Sequence, residues 1–346
     1  MRHSTLLLTC LLSATSTLAG PSGKTSPKTA PKAAPKALPA PCQASAGNLE
    51  RSAWPQGTLL WGMAWPQGAQ LSGASLQDTP PQRLARETSS VLRSVELGAA
   101  SLSHGQLTGA SRFVGHASDG QEVKVAVCGS EPTRGTASAP WYRIEIWNAN
   151  KAAWENPCLG TARSPEGRAL ALAGVWDETG AHHDEPQRFT FACDAGALAK
   201  CVDRGYQPWA TRDGQSLAGL HQACTRMLRA DYCGNGQSHT RDNHIIDLYD
   251  SLGINTRTRT HSAGWSPERA SVEAQWGADG AVLLARTRHG EPLASILEEC
   301  PGRFAPKHEE RGDGDTFEYA VPGADTEGAW LRDRTYGPDT SAHKGR

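Results

Sequence analysis

The sequence predicts an α+β fold that is rich in antiparallel strands, has a few short helices and is cross-linked by disulfides. Short apolar runs with strand-like alternation recur along the chain, whereas helical patterns are fewer and do not alternate with them. Regular alternation of strands and helices is typical of a parallel sheet, so its absence favours antiparallel strands. The chain also has nine cysteines, which supply the predicted cross-links.

Seven segments have the pattern of a strand. In the clearest, Tyr142–Trp147, the apolar residues Ile144 and Ile146 alternate with charged ones. Such alternation places the apolar side chains on one face of a strand and the charged side chains on the other. The remaining segments, which turns rich in Gly and Pro separate, are Val123–Cys128, Ala169–Trp176, Arg188–Cys193, Ile245–Tyr249, Val272–Trp276 and Ala281–Ala285.

Apolar residues at helical spacing predict three helices. The first is Ala197–Val202, with Asp194 placed to cap its N-terminus. The second begins at Leu217 and stops at Gly234. The third is Leu293–Cys300, which a proline ends. All three are short, as the fold class requires.

The N-terminus has the features of a secretory signal peptide, predicted over Met1–Ala19. A short positive start precedes the apolar run Leu6–Leu12, and small residues then allow cleavage before Gly20. The apolar run is too short to anchor the protein in a membrane. Thr9 stands before Cys10 where a lipoprotein signal has Gly or Ala, which argues against lipid attachment at Cys10. The mature protein is therefore expected to be secreted or periplasmic.

Four further regions follow the predicted signal peptide. Lys-x-x-Pro units are repeated in the first of them, and prolines at this spacing exclude both helix and central strand. This region is therefore predicted to be an extended spacer. The boundaries are 20–45 for the Lys/Pro-rich spacer, 46–120 for a Gly/Ser-rich N-terminal region, 121–305 for the folded domain and 306–346 for a polar C-terminal tail.

The overall charge and hydropathy limit the possible partners. The formal net charge is -1, so no basic field draws nucleic acid to the protein. Beyond the N-terminus no apolar run approaches the roughly 20 residues of a membrane helix. We therefore expect no nucleic-acid partner and no membrane span. The 11 tryptophans are interpreted as packing residues, with a stacking surface for sugars or peptides as the alternative.

The cysteine count changes with signal cleavage, because loss of Cys10 leaves an even number. In an exported chain an even number favours disulfides, although eight cysteines allow on the order of a hundred pairings. No Cys-x-x-Cys pair occurs, which argues against a structural zinc site. The predicted disulfide cysteines are Cys42, Cys128, Cys158, Cys193, Cys201, Cys224, Cys233 and Cys300.

The four residues Ala230, Asp231, Tyr232 and Cys233 resemble the signature of the ADYC domain, which is named for those letters. The surrounding sequence extends the resemblance over roughly residues 120–305, and the flanking segments that carry it best are Leu220–Met227, Gly234–Gly236 and Ile246–Asp250. The resemblance implies an exported bacterial protein with a single folded domain. The family has no assigned chemistry, so the resemblance carries over no catalytic residue and none is predicted.

The densest polar cluster follows the signature. Its acidic and imidazole members are Asp231, His239, Asp242, His244, Asp247 and Asp250. Such groups could bind a divalent metal, and His239, His244 and Asp247 are the candidate ligands. Their spacing matches no ligand pattern such as His-Glu-x-x-His, however, and short carboxylates also cap turns. No cofactor is predicted.

Two functional hypotheses remain. The first is a non-enzymatic envelope or extracellular module that binds a surface, a polymer or another protein. The spacer, the tryptophans and the disulfides fit it. The second is a secreted hydrolase or metal-binding enzyme that uses the Asp231–Asp250 cluster. A deep cleft with perturbed carboxylates would favour the second, and a shallow groove lined with exposed Trp would favour the first. The sequence favours the first hypothesis and leaves the activity unknown.

Overall fold

The part of the chain that the structure describes contains two seven-stranded antiparallel sheets, with two helices between them, and three separate two-stranded hairpins. The computed structural model describes residues 38–43, 59–61, 92–131, 139–158, 167–241, 244–262 and 264–336. The predicted signal peptide with Cys10, the spacer up to residue 37, most of the Gly/Ser-rich region before residue 92, and Asp242 lie outside the described residues.

The described residues are mainly strand, which confirms the predicted fold class. The strands are β1 Leu59–Trp61, β2 Leu92–Glu96, β3 Ser101–Ser103, β4 Gln106–Thr108, β5 Arg112–Ala117, β6 Glu122–Glu131, β7 Trp141–Asn148, β8 Ala153–Glu155, β9 Arg168–Ala173, β10 Val175–Trp176, β11 His182–His183, β12 Arg188–Cys193, β13 Thr211–Arg212, β14 Gln215–Ser216, β15 Ile245–Asp250, β16 Ala270–Gly277, β17 Gly280–Leu284, β18 Ala305–Arg311, β19 Asp315–Ala320 and β20 Leu331–Tyr336. The strand pairs β3-β4, β10-β11 and β13-β14 form the three hairpins. The helices are α1 Ala197–Asp203, α2 Ala218–Arg229 and α3 Leu293–Glu299, with single 3-10 turns at Pro267–Arg269 and Gly312–Gly314.

The first sheet closes on itself as a barrel. Its strand order is β6-β5-β2-β12-β9-β7, and β6 also pairs with β7, while β8 extends β7 as a hairpin. All six barrel strands contribute apolar side chains to one core, among them Val95, Val125 and Phe189. Gly115 of β5 faces this core, where a Cβ atom would lie 2.5 Å from Cδ1 of Leu92. The close approach of β2 and β5 therefore requires glycine at this position.

The second sheet has the order β1-β15-β20-β16-β17-β19-β18, and all of its pairings are antiparallel. β20 pairs with both β15 and β16, although it follows every other strand in the sequence. Leu220, Met227 and Leu228 of α2 pack against this sheet, in a core that includes Leu248 and Trp276. Helix α2 therefore covers one face of the second sheet.

Helix α1 lies between the barrel and α2. Leu198 and Val202 pack with Trp141 and Leu170 of the barrel. Cys201, on another side of α1, lies in the core shared with α2. The two sheets are thus joined through a pair of helices.

Four disulfides pair the eight predicted cysteines. Cys42–Cys128 and Cys158–Cys193 lie at the barrel, Cys201–Cys224 joins α1 to α2, and Cys233–Cys300 joins the segment after α2 to the end of α3. A disulfide stabilises a fold mainly by restricting the unfolded chain, typically by about 2–4 kcal/mol. Such cross-links persist in oxidising compartments, so they are consistent with an extracellular or periplasmic location.

The end of the predicted spacer lies against the barrel. The indole N–H of Trp154 donates to the carbonyl oxygen of Pro39 at 2.9 Å. The backbone N–H of Cys42 donates to Oε2 of Glu145 at 2.7 Å. Together with the Cys42–Cys128 disulfide, these contacts place Pro39–Cys42 on strands β6–β8.

Three local predictions differ from the structure. The segment predicted as one strand, Ala169–Trp176, is split into β9 and β10 by Gly174, whose φ is +83°. Helix α1 is capped at Gly196 without a side-chain hydrogen bond, not by Asp194. Helix α2 ends at Ala230 in the left-handed conformation, before the predicted stop at Gly234.

The predicted polar tail, 306–346, contributes three strands. These are β19, β20 and almost all of β18. β20 is buried although Arg332, Asp333 and Arg334 are charged. Contacts with other elements satisfy these side chains, and the pairs are Arg332 with Asp315, Asp333 with Arg288 and Arg334 with Asp247. A polar sequence therefore fills the middle of a sheet.

No helix within the described ranges is both long enough and apolar enough to cross a membrane.

Candidate functional site

The residues Ala230–Cys233 form a corner at the C-terminus of α2. Ala230 has φ +52° and ψ +44°, the left-handed conformation that commonly ends a helix. Its N–H donates to the carbonyl of Met227 at 2.9 Å, and the N–H of Asp231 donates to that of Arg226 at 3.0 Å. These bonds satisfy two carbonyls of the last turn and redirect the chain.

Asp231 holds this corner together. Its side chain is fully buried, and Oδ2 accepts hydrogen bonds from Arg226 at 2.6 Å, Arg229 at 3.2 Å and the N–H of Gly236 at 3.1 Å. Burial lowers the pKa of Arg229 to about 10, an effect that Asp231 partly offsets. The carboxylate therefore joins the last turn of α2 to the loop that follows it.

Arg226 extends the corner to the β10–β11 hairpin and to the second sheet. Its guanidinium donates to the carbonyl of Thr179, in the turn between β10 and β11. It also donates to the carbonyl of Ala278, in the turn between β16 and β17, at 3.1 Å. The signature corner is therefore a joint between the barrel side and the second sheet.

Tyr232 leads into a buried network of charges on the second sheet. Its hydroxyl donates to Oε1 of Glu273 at 2.9 Å and accepts from the N–H of Arg288 at 2.7 Å. The Arg288 side chain is fully buried and contacts Glu273 at 2.9 Å and Asp333 at 3.2 Å. Burial is the main cause that raises the pKa of Tyr232 well above its ordinary value. Tyr232 is thus a neutral donor at physiological pH.

Arg288 also completes the C-terminus of α2. It donates to the carbonyls of Met227 at 2.7 Å and Leu228 at 3.1 Å, and to the hydroxyl of Thr240 at 2.9 Å. The last carbonyls of a helix have no partner within the helix. One side chain therefore satisfies helix carbonyls and carboxylates together.

The two carboxylates of this network differ in their protonation. Burial is the largest single effect on Glu273 and opposes its ionisation, but the charge and hydrogen bond of Arg288, together with Arg286 and Tyr232, outweigh burial and lower the pKa of Glu273. Burial, and next the neighbouring Glu273, raise the pKa of Asp333 well above its ordinary value. Glu273 therefore carries the negative charge that balances Arg288.

The loop after the corner is fixed to α3. Cys233 is bonded to Cys300, and Nε2 of His239 lies 2.7 Å from Oε2 of Glu299. The N–H groups of His239 and Thr240 both contact the carbonyl of Arg229, at 3.1 and 3.2 Å. His239 therefore contributes its backbone to the helix end and its side chain to a hydrogen bond with Glu299.

The structure does not bring the predicted metal ligands together. Asp247 is buried and paired with Arg334 at 2.6 Å, whereas His239 is paired with Glu299. The ring of His244 lies 4.7 Å from that of a different histidine, His289. Across the described part of the chain, a set of three ligands close enough to share an ion occurs only at Cys42, Cys128 and Glu145. Both of those sulfurs are already in a disulfide.

Asp250, the last member of the polar cluster, shapes a turn. It accepts from the hydroxyl of Tyr206 at 2.7 Å and from the backbone N–H of Leu252, Ile254 and Asn255 at 2.7–3.1 Å. These are the contacts that a short carboxylate makes when it caps a turn.

The residues that sequence reasoning missed are Glu273, Arg288 and Asp333. Glu273 alternates with the apolar residues Val272 and Ala274 in a predicted strand, and this pattern assigns it to the solvent side and gives no local sign of burial. Its ion-pair partner Arg288 lies 15 residues further on, in the loop after β17, and Asp333, the other carboxylate on Arg288, lies in β20.

A β-rich, disulfide-linked domain organised around a helix-to-sheet corner is the class of protein that this fold defines. The chain belongs to the ADYC domain family, whose model matches residues 104–290. The match includes the signature corner, Glu273 and Arg288, and it ends before β18. Comparison with curated proteins gave no match, and neither did comparison with solved structures.

Proposed function

We propose that this chain is an exported, non-enzymatic module that binds a partner in the cell envelope or outside the cell. The predicted signal peptide and Lys/Pro-rich spacer support export, and the four disulfides support an oxidising compartment. The spacer would hold the folded body away from whatever surface the protein meets.

The main support for a non-enzymatic role is what the side chains of the polar cluster contact. Asp231, Asp247 and Asp250 each accept hydrogen bonds that hold the fold, and His239 is paired with Glu299. A hydrolase needs such groups directed together at a substrate. Here they are directed at separate structural partners, which supports a scaffold rather than a reaction centre.

The burial of the tryptophans argues against one kind of partner, a sugar that stacks on exposed indole rings. Among the eight with described side chains, Trp141, Trp176, Trp265 and Trp276 are buried, and Trp147, Trp154, Trp209 and Trp330 are half-buried. These residues act mainly in packing, as the sequence suggested. The proposal therefore favours a protein or polymer bound through polar loops over a sugar stacked on exposed indoles.

If the protein is exported, its mature form should have lost the signal peptide and paired its cysteines. We expect the exported protein to begin at Gly20 and to contain no free thiol. Alkylation under denaturing, non-reducing conditions followed by intact-mass measurement reports both properties. A mass that retains Met1–Ala19, or two or more alkylated cysteines, would remove the support for export.

The scaffold interpretation predicts that substitutions in the polar cluster affect stability. Asp231→Asn should cost about 2 kcal/mol, because it weakens charge-assisted hydrogen bonds to two buried arginines. His239→Ala should cost about 1 kcal/mol, through the loss of its contact with Glu299. Melting temperature and export yield should fall together for both variants.

The exposed Asp184 provides a matched control, since Asp184→Asn should leave both quantities unchanged. A His239→Ala protein with wild-type stability that loses a hydrolytic activity would overturn the proposal in favour of the enzyme hypothesis.

A further inference from the structure

A pair of histidines, His244 and His289, lies beyond the C-terminus of α2. His244 directly precedes β15, and His289 lies in the loop after β17. Their ring centres are 4.7 Å apart, and the rings are nearly perpendicular, at 85°. The pair belongs to neither the signature corner nor any of the ion pairs described above.

Three buried polar atoms in this region have no hydrogen-bond partner among the described residues. They are Nε2 of His244, Nε2 of His289 and Oε2 of Glu291. Buried polar atoms are nearly always satisfied by protein, water or an ion. Two imidazole nitrogens and a carboxylate oxygen are also the ligand types that borderline transition metals prefer.

The electrostatic surroundings keep both imidazoles available as ligands. Burial, and next Arg288, lower the pKa of His244 to about 3. Burial, and next Arg241, lower the pKa of His289. A neutral imidazole is the form that binds a metal. The arginine charges that favour the neutral rings also oppose a bound cation, and the carboxylates of Glu273 and Glu291 act in the opposite direction. The charge of Arg288 is itself balanced by Glu273 at 2.9 Å.

The spacing of the two rings fits a shared ion. Zn–N bonds of about 2.1 Å at a tetrahedral centre place two imidazole ring centres about 5 Å apart. The observed 4.7 Å is close to that separation. Glu291 and Glu273 are the two carboxylates that contribute to the electrostatic surroundings of His289, and Glu273 is already paired with Arg288, which leaves Glu291 to complete the set.

We propose that His244 and His289 bind one divalent transition-metal ion of the zinc or nickel class, with Glu291 as a third ligand. Movement of the Glu291 side chain would bring its carboxylate to the ion, because these three residues do not form a ready-made ligand set. The site uses only His244 of the predicted ligands. His239 and Asp247 are instead held by Glu299 and Arg334.

Calorimetric titration of the metal-free mature protein with zinc chloride, disulfides intact, tests the proposal. We expect one equivalent to bind. His244→Gln and His289→Gln should each weaken binding at least tenfold, and Glu291→Gln severalfold. His261→Gln is the matched control at an exposed histidine, and it should leave the affinity unchanged.

A second measurement needs no variant and so does not depend on variant folding. In NMR spectra of the wild-type protein, the ring signals of His244 and His289 should shift first as zinc is added. Shifts confined to other histidines, or unchanged affinity in both glutamine variants, would overturn the proposal. So would stabilisation by inorganic phosphate in place of zinc, since that would define an anion site among the neighbouring arginines.

Discussion

Replacing Arg288 by methionine is expected to lower the free energy of unfolding by roughly 3–5 kcal/mol, the usual cost of breaking a buried ion pair. Arg288 is fully buried, and its guanidinium contacts Glu273, Asp333 and the carbonyls of Met227 and Leu228. Methionine fills similar space but leaves the Glu273 charge uncompensated and two helix carbonyls without a donor. Urea unfolding with the disulfides intact measures the loss.

The same substitution at the surface is the control for this experiment. Arg259 is exposed and pairs with Asp313 at 2.7 Å, and exposed pairs contribute at most about 1 kcal/mol. Arg288→Lys should be intermediate, because an ammonium group keeps the charge but cannot reach all the partners of a guanidinium. A loss below 1 kcal/mol for Arg288→Met would show that the network is not needed for stability.

Acid is expected to destabilise the protein through His221. This side chain in α2 is buried at 1% exposure, and its Nε2 lies 3.0 Å from the carbonyl oxygen of Leu198. Burial lowers its pKa from 6.5 to about 4. Between these values the unfolded chain binds a proton and the folded chain does not. Stability is therefore complete above pH 6.5 and falls as the pH is lowered, by roughly 3 kcal/mol at pH 4.

His221→Gln isolates this contribution, because the amide can still donate to Leu198 but does not titrate. The free energy of unfolding, measured from pH 7 to pH 4, should fall less steeply in the variant than in the wild type. His244, with its pKa lowered to about 3, contributes in the same direction and remains in both proteins. The exposed His261→Gln serves as the control. Parallel wild-type and His221→Gln curves would contradict the prediction.

Local pattern was sufficient for much of the fold. The strand predicted at Arg188–Cys193 has the same bounds in the structure, and Phe189, Phe191 and Cys193 share the barrel core as their alternation indicates. β5 was missed, because Gly115 occupies a core position where a strand pattern needs an apolar side chain. The barrel was therefore only partly visible in the sequence.

The buried charges were beyond sequence reasoning for a different reason. A periodicity argument assigns charged residues to the solvent side, yet Asp333 and Arg334 lie inside the second sheet. Their partners Arg288 and Asp247 are remote in the sequence, so only the three-dimensional pairing explains their burial. The signature corner could be recognised from the four consecutive residues Ala230–Cys233. The buried network of Glu273, Arg288 and Asp333, which Tyr232 contacts, could not.

The place of β20 in the second sheet has a consequence for the order in which the protein can assemble. All six barrel strands lie between Leu92 and Cys193, so the barrel has every strand it needs once that stretch is available. The second sheet does not, because Leu331–Tyr336 separates β15 from β16. Until β20 is in place, the sheet consists of two fragments, β1-β15 and β16-β17-β19-β18, with no hydrogen bonds between them. Helix α2 then has only part of the sheet to pack against. Such long-range pairing is slow to form. A chain truncated shortly before Leu331 would thus contain every strand of the barrel. Its second sheet would lack β20, so the edges of β15 and β16 would be unpaired and prone to aggregation.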